Sequence, residues 1–300
     1  VCGQWGGASV PNISLSTCWQ PDDRLGATFS QIIKSGVTRI ELHRMGSPQD
    51  VADVVSFCRD HGISIGSLHA VLEPWLTERG NCSGDFLVSA DAAKQDMTRR
   101  LFERSAEFCQ EHAIPILVMH VGALESDEVR RHDALSMSTG ARIPPDVVSL
   151  REELGKPCLD LILAALDRLT SSCAGVRMAV EGRNRLTYFP TPNELGLILG
   201  ATAPDRVGYW HDMAHARAYE RLVGFGRPGW FEIAGSRAWG NHVQDSTNAF
   251  REHMPIGAGD DEFTWETLGD LADWVLEISH EHSAQSVARS VEHLRSFLVP

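Results

Sequence analysis

A chain of 300 residues, 43% hydrophobic and 22% charged, has the size and composition of one folded domain, which sets aside a disordered or multidomain organisation. Its 40 acidic and 27 basic residues leave a formal net charge of -13, an average field that repels nucleic acid and anionic membranes. No apolar run reaches the roughly 20 residues of a spanning helix, Val1–Ser9 lacks a signal-peptide pattern, and seven cysteines without a C-x-x-C pair argue against a disulfide framework or a cysteine zinc site.

In chain order, short β-rich runs alternate with longer stretches of helical periodicity. Asn12–Thr17 is the first predicted strand, followed by a helix over Arg24–Lys34 that Gly36 should end in a left-handed residue. Thr38–Leu42 is the second strand; its helix, Pro48–His61, stops at Gly62. Ser64–His69 leads into a long gap before Ala90, a candidate active-site loop, and then a helix over Ala90–His112. Ile116–Val121 is followed by the polar stretch Glu125–Pro145, a second candidate loop, and by a helix over Val148–Ser171. Arg177–Glu181 and Val207–Asp212 flank a helix at Asn193–Leu199, and Ala216–Gly235 holds one helix or two. Gly240–Gln244 and Trp274–Ile278 complete eight strands, with helices at Thr264–Asp270 and Ala284–Phe297. Eight βα units of this kind predict an α/β fold, a single-domain (β/α)8 TIM barrel over residues 1–300.

Such a barrel carries its active site at the carboxyl ends of its strands, and that is where Glu41, His69, His120, Glu181, Asp212, His242 and Glu277 fall. Strands covered on both faces should read as apolar runs, so an acid closing Met178-Ala179-Val180 needs a charged, metal or hydrogen-bonding partner. Singly, each residue has a bland reading, a hydrogen-bonded histidine or the partner of a nearby arginine. Glu181, Asp212, His242 and Glu277 together differ, because they follow one another at roughly 30–35 residues, about one βα unit each. Four convergent oxygen and nitrogen donors suit Mn²⁺, Mg²⁺, Co²⁺ or Zn²⁺, with Mn²⁺ the first choice.

The motifs Ser67-Leu68-His69, Val118-Met119-His120-Val121-Gly122, Val180-Glu181-Gly182, Asp212-Met213-Ala214-His215, His242-Val243-Gln244-Asp245 and His253-Met254-Pro255-Ile256-Gly257-Ala258-Gly259 occur in that order. In this the chain resembles the xylose-isomerase-like barrel superfamily, in its sugar isomerase/epimerase branch, from about Ile13 to Ile278. The resemblance implies a metal held by Glu181, Asp212, His242 and Glu277, with adjacent substrate oxygens completing its coordination. It also implies proton transfer by Glu181 and Glu277 through an enediolate, with His69, His120, His215, Arg251 and His253 holding the substrate. For Arg251 a plain surface arginine is an equal reading.

The same superfamily contains apurinic endonucleases, whose metal cluster uses histidines at the positions of His69, His120, His215 and His253. Arg251 stands where those enzymes place an aspartate ligand, and a cation there repels a third metal. The glycine-rich Ile256–Gly259 reads as a tight loop, and Trp19 and Trp75 as loop residues that pack or stack on a sugar. The expectation is therefore a cytoplasmic, divalent-metal-dependent isomerase or epimerase of a sugar, sugar phosphate or related polyol ketone. A dehydratase or lyase, an endonuclease-like hydrolase and a non-catalytic binding subunit are the alternatives. A small polyhydroxylated molecule is the expected partner, without nucleic acid or membrane, and a homo-oligomer is left open.

Overall fold

The computed structural model describes residues 11–19, 29, 32–43, 47–72, 84–247, 250–260, 263, 269, 271–279 and 281–298. Eight parallel strands close into a barrel in chain order: β1 Asn12–Ser16, β2 Arg39–Leu42, β3 Ser64–His69, β4 Ile116–Met119, β5 Arg177–Glu181, β6 Val207–Asp212, β7 Ala238–Val243 and β8 Asp273–Leu276. Pairing of β1 with β8, from Asn12↔Asp273 to Leu15↔Leu276, completes the ring. The helices around it are α1 Pro48–Asp60, α2 Ala92–Glu111, α3 Asp127–Thr139, α4 Pro145–Ser172, α5 Pro192–Ala201, α6 Met213–Val223, α7 Arg227–Ala234 and α8 Ala284–Ser296. Among the described residues no helix is long and apolar enough to cross a membrane.

Two sequence expectations change. The polar stretch Glu125–Pro145 contains α3, capped by the Ser126 side chain, which accepts from Val129 N–H, and ended by Gly140 in the left-handed conformation. Its helical pattern is faint because it buries only Val129, Asp133 and Ser136. Ala216–Gly235 resolves into two helices, α6 and α7, broken at Gly224 with a φ of 90°. Gly36 and Gly62 do end their helical segments with positive φ. The proposed helix at Thr264–Asp270, Trp75, the Trp19 side chain and most of Arg24–Lys34 lie outside the described residues.

Side chains two apart along a strand share a face, so the barrel interior forms in layers. At the amino-terminal end Arg39 pairs with Asp273 at 3.0 Å, and Arg177 stacks on the Trp239 ring. Above them Ile116, Val118, Ala179, Trp210 and Val275 form a small apolar plug, distinct from the large core between barrel and helices. One step further along the same faces, two residues past Val118, Ala179, Trp210 and Val275, stand His120, Glu181, Asp212 and Glu277. The β-sheet alternation thus carries the donors into the barrel mouth.

Candidate active site

Glu181 and Asp212 end β5 and β6, His242 lies near the end of β7, and Glu277 directly follows β8. His242 is the centre of the arrangement. Its Nε2–H donates to Glu41, 3.1 Å from Oε1, and Glu41 is fixed in turn by the Ser67 hydroxyl at 2.8 Å. Glu41 lies two residues past Arg39 on the inward face of β2, and a register shift that skips Gly66 on β3 brings Ser67 level with it. With Nε2–H turned to Glu41, His242 directs Nδ1 at Glu277 Oε2 at 3.4 Å, Glu181 Oε1 at 3.5 Å and Asp212 Oδ2 at 3.8 Å.

Neither His242 Nδ1 nor Glu181 Oε1 has a hydrogen-bond partner, although both atoms are buried. Nδ1 facing three carboxylate oxygens marks a place for a cation, either a proton or a metal ion that displaces it. Donors bound at about 2.1 Å to one ion lie roughly 3.0–3.4 Å apart, close to the spacing found here. The donor set and the orphaned atoms therefore fit a divalent ion. Burial opposes a charge on His242, but the fields of Glu277, Glu41 and Glu181 outweigh it and push its pKa well above the ordinary value. Burial, abetted by the charges of Glu181 and Glu277, raises Asp212 to about 6 against the opposing pull of His215 and His242.

The remaining histidines surround Glu181. His69 Nε2 and His120 Nε2 each lie 3.0 Å from Oε2, and His215 Nδ1 lies 3.1 Å from Oε1. Burial works against the Glu181 charge, yet His120 and His242 together hold its carboxyl well below the usual range. Burial and the charge of Arg183 push the His120 pKa well below its ordinary value, against the opposing pull of Glu181. His215, on the first turn of α6, is pushed up to about 10, since Asp212, Glu252 and Glu181 overcome the cost of its burial. His253, with a φ of 58°, is held in the left-handed region by its N–H bond to Gln244 Oε1 and places Nδ1 3.9 Å from Glu277 Oε2. Gln244 also donates to Asp212 Oδ2 at 2.7 Å.

A cavity of ≈ 230 Å³ opens on this cluster, lined by His69, His120, Glu181, His215, His253 and Glu277. Arg251 does not join them: its side chain points to solvent and pairs with Glu281 at 3.0 Å. The cationic wall is instead built by Arg183 and Arg185, beside Asn184 and Tyr188, and His43 and Glu252 also line the cavity. His43 directly follows β2, as Glu277 follows β8, and so carries a strand-end signature; the other five sit in loops whose path the sequence pattern does not fix. Glu41 carries one too, but its role emerges only from its contact with His242. The Ile256–Gly259 segment is a tight loop, with Gly257 N–H and Gly259 N–H both donating to Asp245 Oδ2 at 2.9 Å.

A family model described as xylose isomerase-like TIM barrel matches residues 29–297. A search of curated proteins finds no match. Among solved structures, a D-tagatose 3-epimerase-like protein superposes with a TM-score of 0.65 at 16% identity, over 96% of this chain and 97% of that one. The IOLI protein with a bound zinc atom gives 0.66 at 15% identity, over 96% and 98%. The D-psicose 3-epimerase from Clostridium cellulolyticum H10, solved with D-tagatose, gives 0.61 at 12% identity, over 95% and 97%.

Proposed function

Because the chain belongs to the xylose isomerase-like TIM barrel family, we propose that it is a divalent-metal-dependent enzyme that isomerises or epimerises a polyhydroxylated ketone. The observation that carries this reading is His242 Nδ1, locked in direction by Glu41 and facing oxygens of Glu181, Asp212 and Glu277. Those four residues would hold the ion. When bound, it would withdraw electron density from a carbonyl and its neighbouring hydroxyl, acidifying the adjacent C–H. Three carboxylates and one imidazole suit Mn²⁺ first, with Zn²⁺, present in the IOLI neighbour, as the competitor.

The protein's own groups then move the proton. Glu277 is held ionised, because His242 and His253 together outweigh the cost of its burial, so it is ready to accept a proton from the carbon beside the carbonyl. Glu181, also ionised, belongs to β5, three strands from β8 around the ring, and therefore reaches the cavity from a different side. His215, His253 and His120 line the space between them and orient substrate hydroxyls.

The test is proton exchange in deuterated water, with metal-loaded protein and a panel of ketoses, ketose phosphates, keto acids and inososes. Label should enter at least one substrate, and Glu277→Gln and Glu181→Gln should each slow interconversion by roughly 10²–10⁴-fold. No exchange from any member of the panel, or full activity in either variant, would overturn the proposal.

One observation favours a second reading. His69 Nδ1 meets the Ala70 carbonyl and its Nε2 meets Glu181 Oε2, both at 3.0 Å, and His69, His120 and Glu181 form another compact donor group. Two ions per chain together with incision of abasic-site DNA would support an endonuclease-like hydrolase. The charge of -13 speaks against that substrate.

A further inference from the structure

The loop after β5 brings a buried cation to the cavity that proton transfer between carbons does not use. Arg183 is 9% exposed, and its Nε and Nη1 are buried without a hydrogen-bond partner. Asp85 Oδ1 stands 3.6 Å from Nη1, beyond hydrogen-bond reach. The Tyr188 ring lies under the guanidinium, 4.1 Å from centroid to Cζ, and holds its plane. Two residues on, Arg185 lines the same cavity with its Nε also unpartnered, and no described carboxylate pairs with it. Among the described carboxylates only Asp85 comes within ion-pair range of Arg183, and Glu252, which also lines the cavity, accepts instead from Asn184 Nδ2 at 2.8 Å.

The wall is also rigid. Asp133 on α3 accepts from Leu186 N–H at 3.0 Å and Thr187 N–H at 2.9 Å. Arg151 on α4 donates from Nε to the Leu186 carbonyl at 2.8 Å and from Nη2 to the Tyr188 carbonyl at 3.1 Å. A buried arginine left with open N–H groups is costly, and the cost is recovered when those groups meet an acceptor. The planar fork matches the two oxygens of a carboxylate or phosphate better than a single hydroxyl.

We propose that the substrate is an anionic polyol ketone, a phosphate ester or a sugar acid, whose anionic group is bound by Arg183 with Arg185. This rests on the reading of the site as one for a polyhydroxylated ketone, and it adds the charge that distinguishes one such substrate from another. Arg183 is then a specificity-determining residue, separate from the donors that would hold the ion.

Calorimetric binding of D-fructose, D-fructose 6-phosphate and 5-keto-D-gluconate tests it, on metal-loaded and on metal-depleted protein. The metal-depleted arm matters because an anion could otherwise be drawn by the ion itself. At least one anionic ligand should bind about tenfold or more tightly than D-fructose in both forms, since charge-assisted hydrogen bonds discriminate on that scale. The phosphate and carboxylate arms show which anion is preferred. Arg183→Gln should bring the preferred anion down to the affinity of the neutral ketose, and Arg185→Gln, at a half-buried position, provides the same readout if Arg183→Gln does not fold. Equal binding of all three ligands by the unaltered protein, or a preference that survives loss of Arg183, would overturn the proposal. Anion preference without proton exchange would remove the isomerase reading and leave this one standing; exchange with a neutral ketose and no anion preference would do the reverse.

Discussion

At the residue scale, the candidate site depends on which nitrogen of one imidazole carries a proton. Glu41 and His242 are both fully buried, and the Ser67 hydroxyl keeps the glutamate from turning away. A carboxylate behind a ligating histidine fixes its tautomer and increases its basicity, and loss of such a partner typically weakens metal binding by about 10–100-fold. Glu41→Gln preserves shape and removes the charge, so metal affinity should fall by that factor while the far-ultraviolet circular dichroism stays the same. Competition titration against a chelating dye measures it, and an affinity within about twofold of the unaltered protein would show that Glu41 does not tune His242.

At the element scale, the strands place the donors, and their spacing is set by what lies one layer below. Gly240 in β7 has the Trp210 indole against it, so a Cβ at that position would collide with the ring. Gly240→Ala should therefore destabilise the fold by about 1–3 kcal/mol, the usual cost of forcing extra volume into a packed interior. Urea denaturation gives the number, and stability unchanged within error would mean that Trp210 yields freely. All eight strands were legible in the sequence, because apolar runs closed by His69, Glu181 or Asp212 are hard to read as anything else. The helix α3 was not, since a helix with three buried residues has almost no periodic stripe. Arg183 and Arg185 escaped for another reason: they take their place from Asp133 and Arg151, which lie some 30 to 55 residues upstream, and no local pattern records such contacts. Arg251 looked suitable by position, but its loop turns it toward Glu281.

At the scale of the whole molecule, the four candidate donors tie together four neighbouring strands, β5 to β8, that close the second half of the barrel. An ion that binds only the folded state stabilises it by about 2.7 kcal/mol at a hundred times its dissociation constant. For a chain of 300 residues that corresponds to a Tm difference of about 4 °C. Removing metal with EDTA should lower Tm by this amount, and stoichiometric Mn²⁺ or Zn²⁺ should restore it. Scanning fluorimetry with elemental analysis of each sample is the check, and an unchanged Tm in protein shown to be metal-free would argue against an ion in this position. The anchoring of the β5 loop from outside, by α3 and α4, has an evolutionary consequence. Substitutions at Arg183 or Arg185 alter neither the strand-borne donors nor the contacts that Asp133 and Arg151 make with the loop backbone. A lineage can therefore exchange one substrate for another by drift at two loop positions while its reaction chemistry is inherited intact.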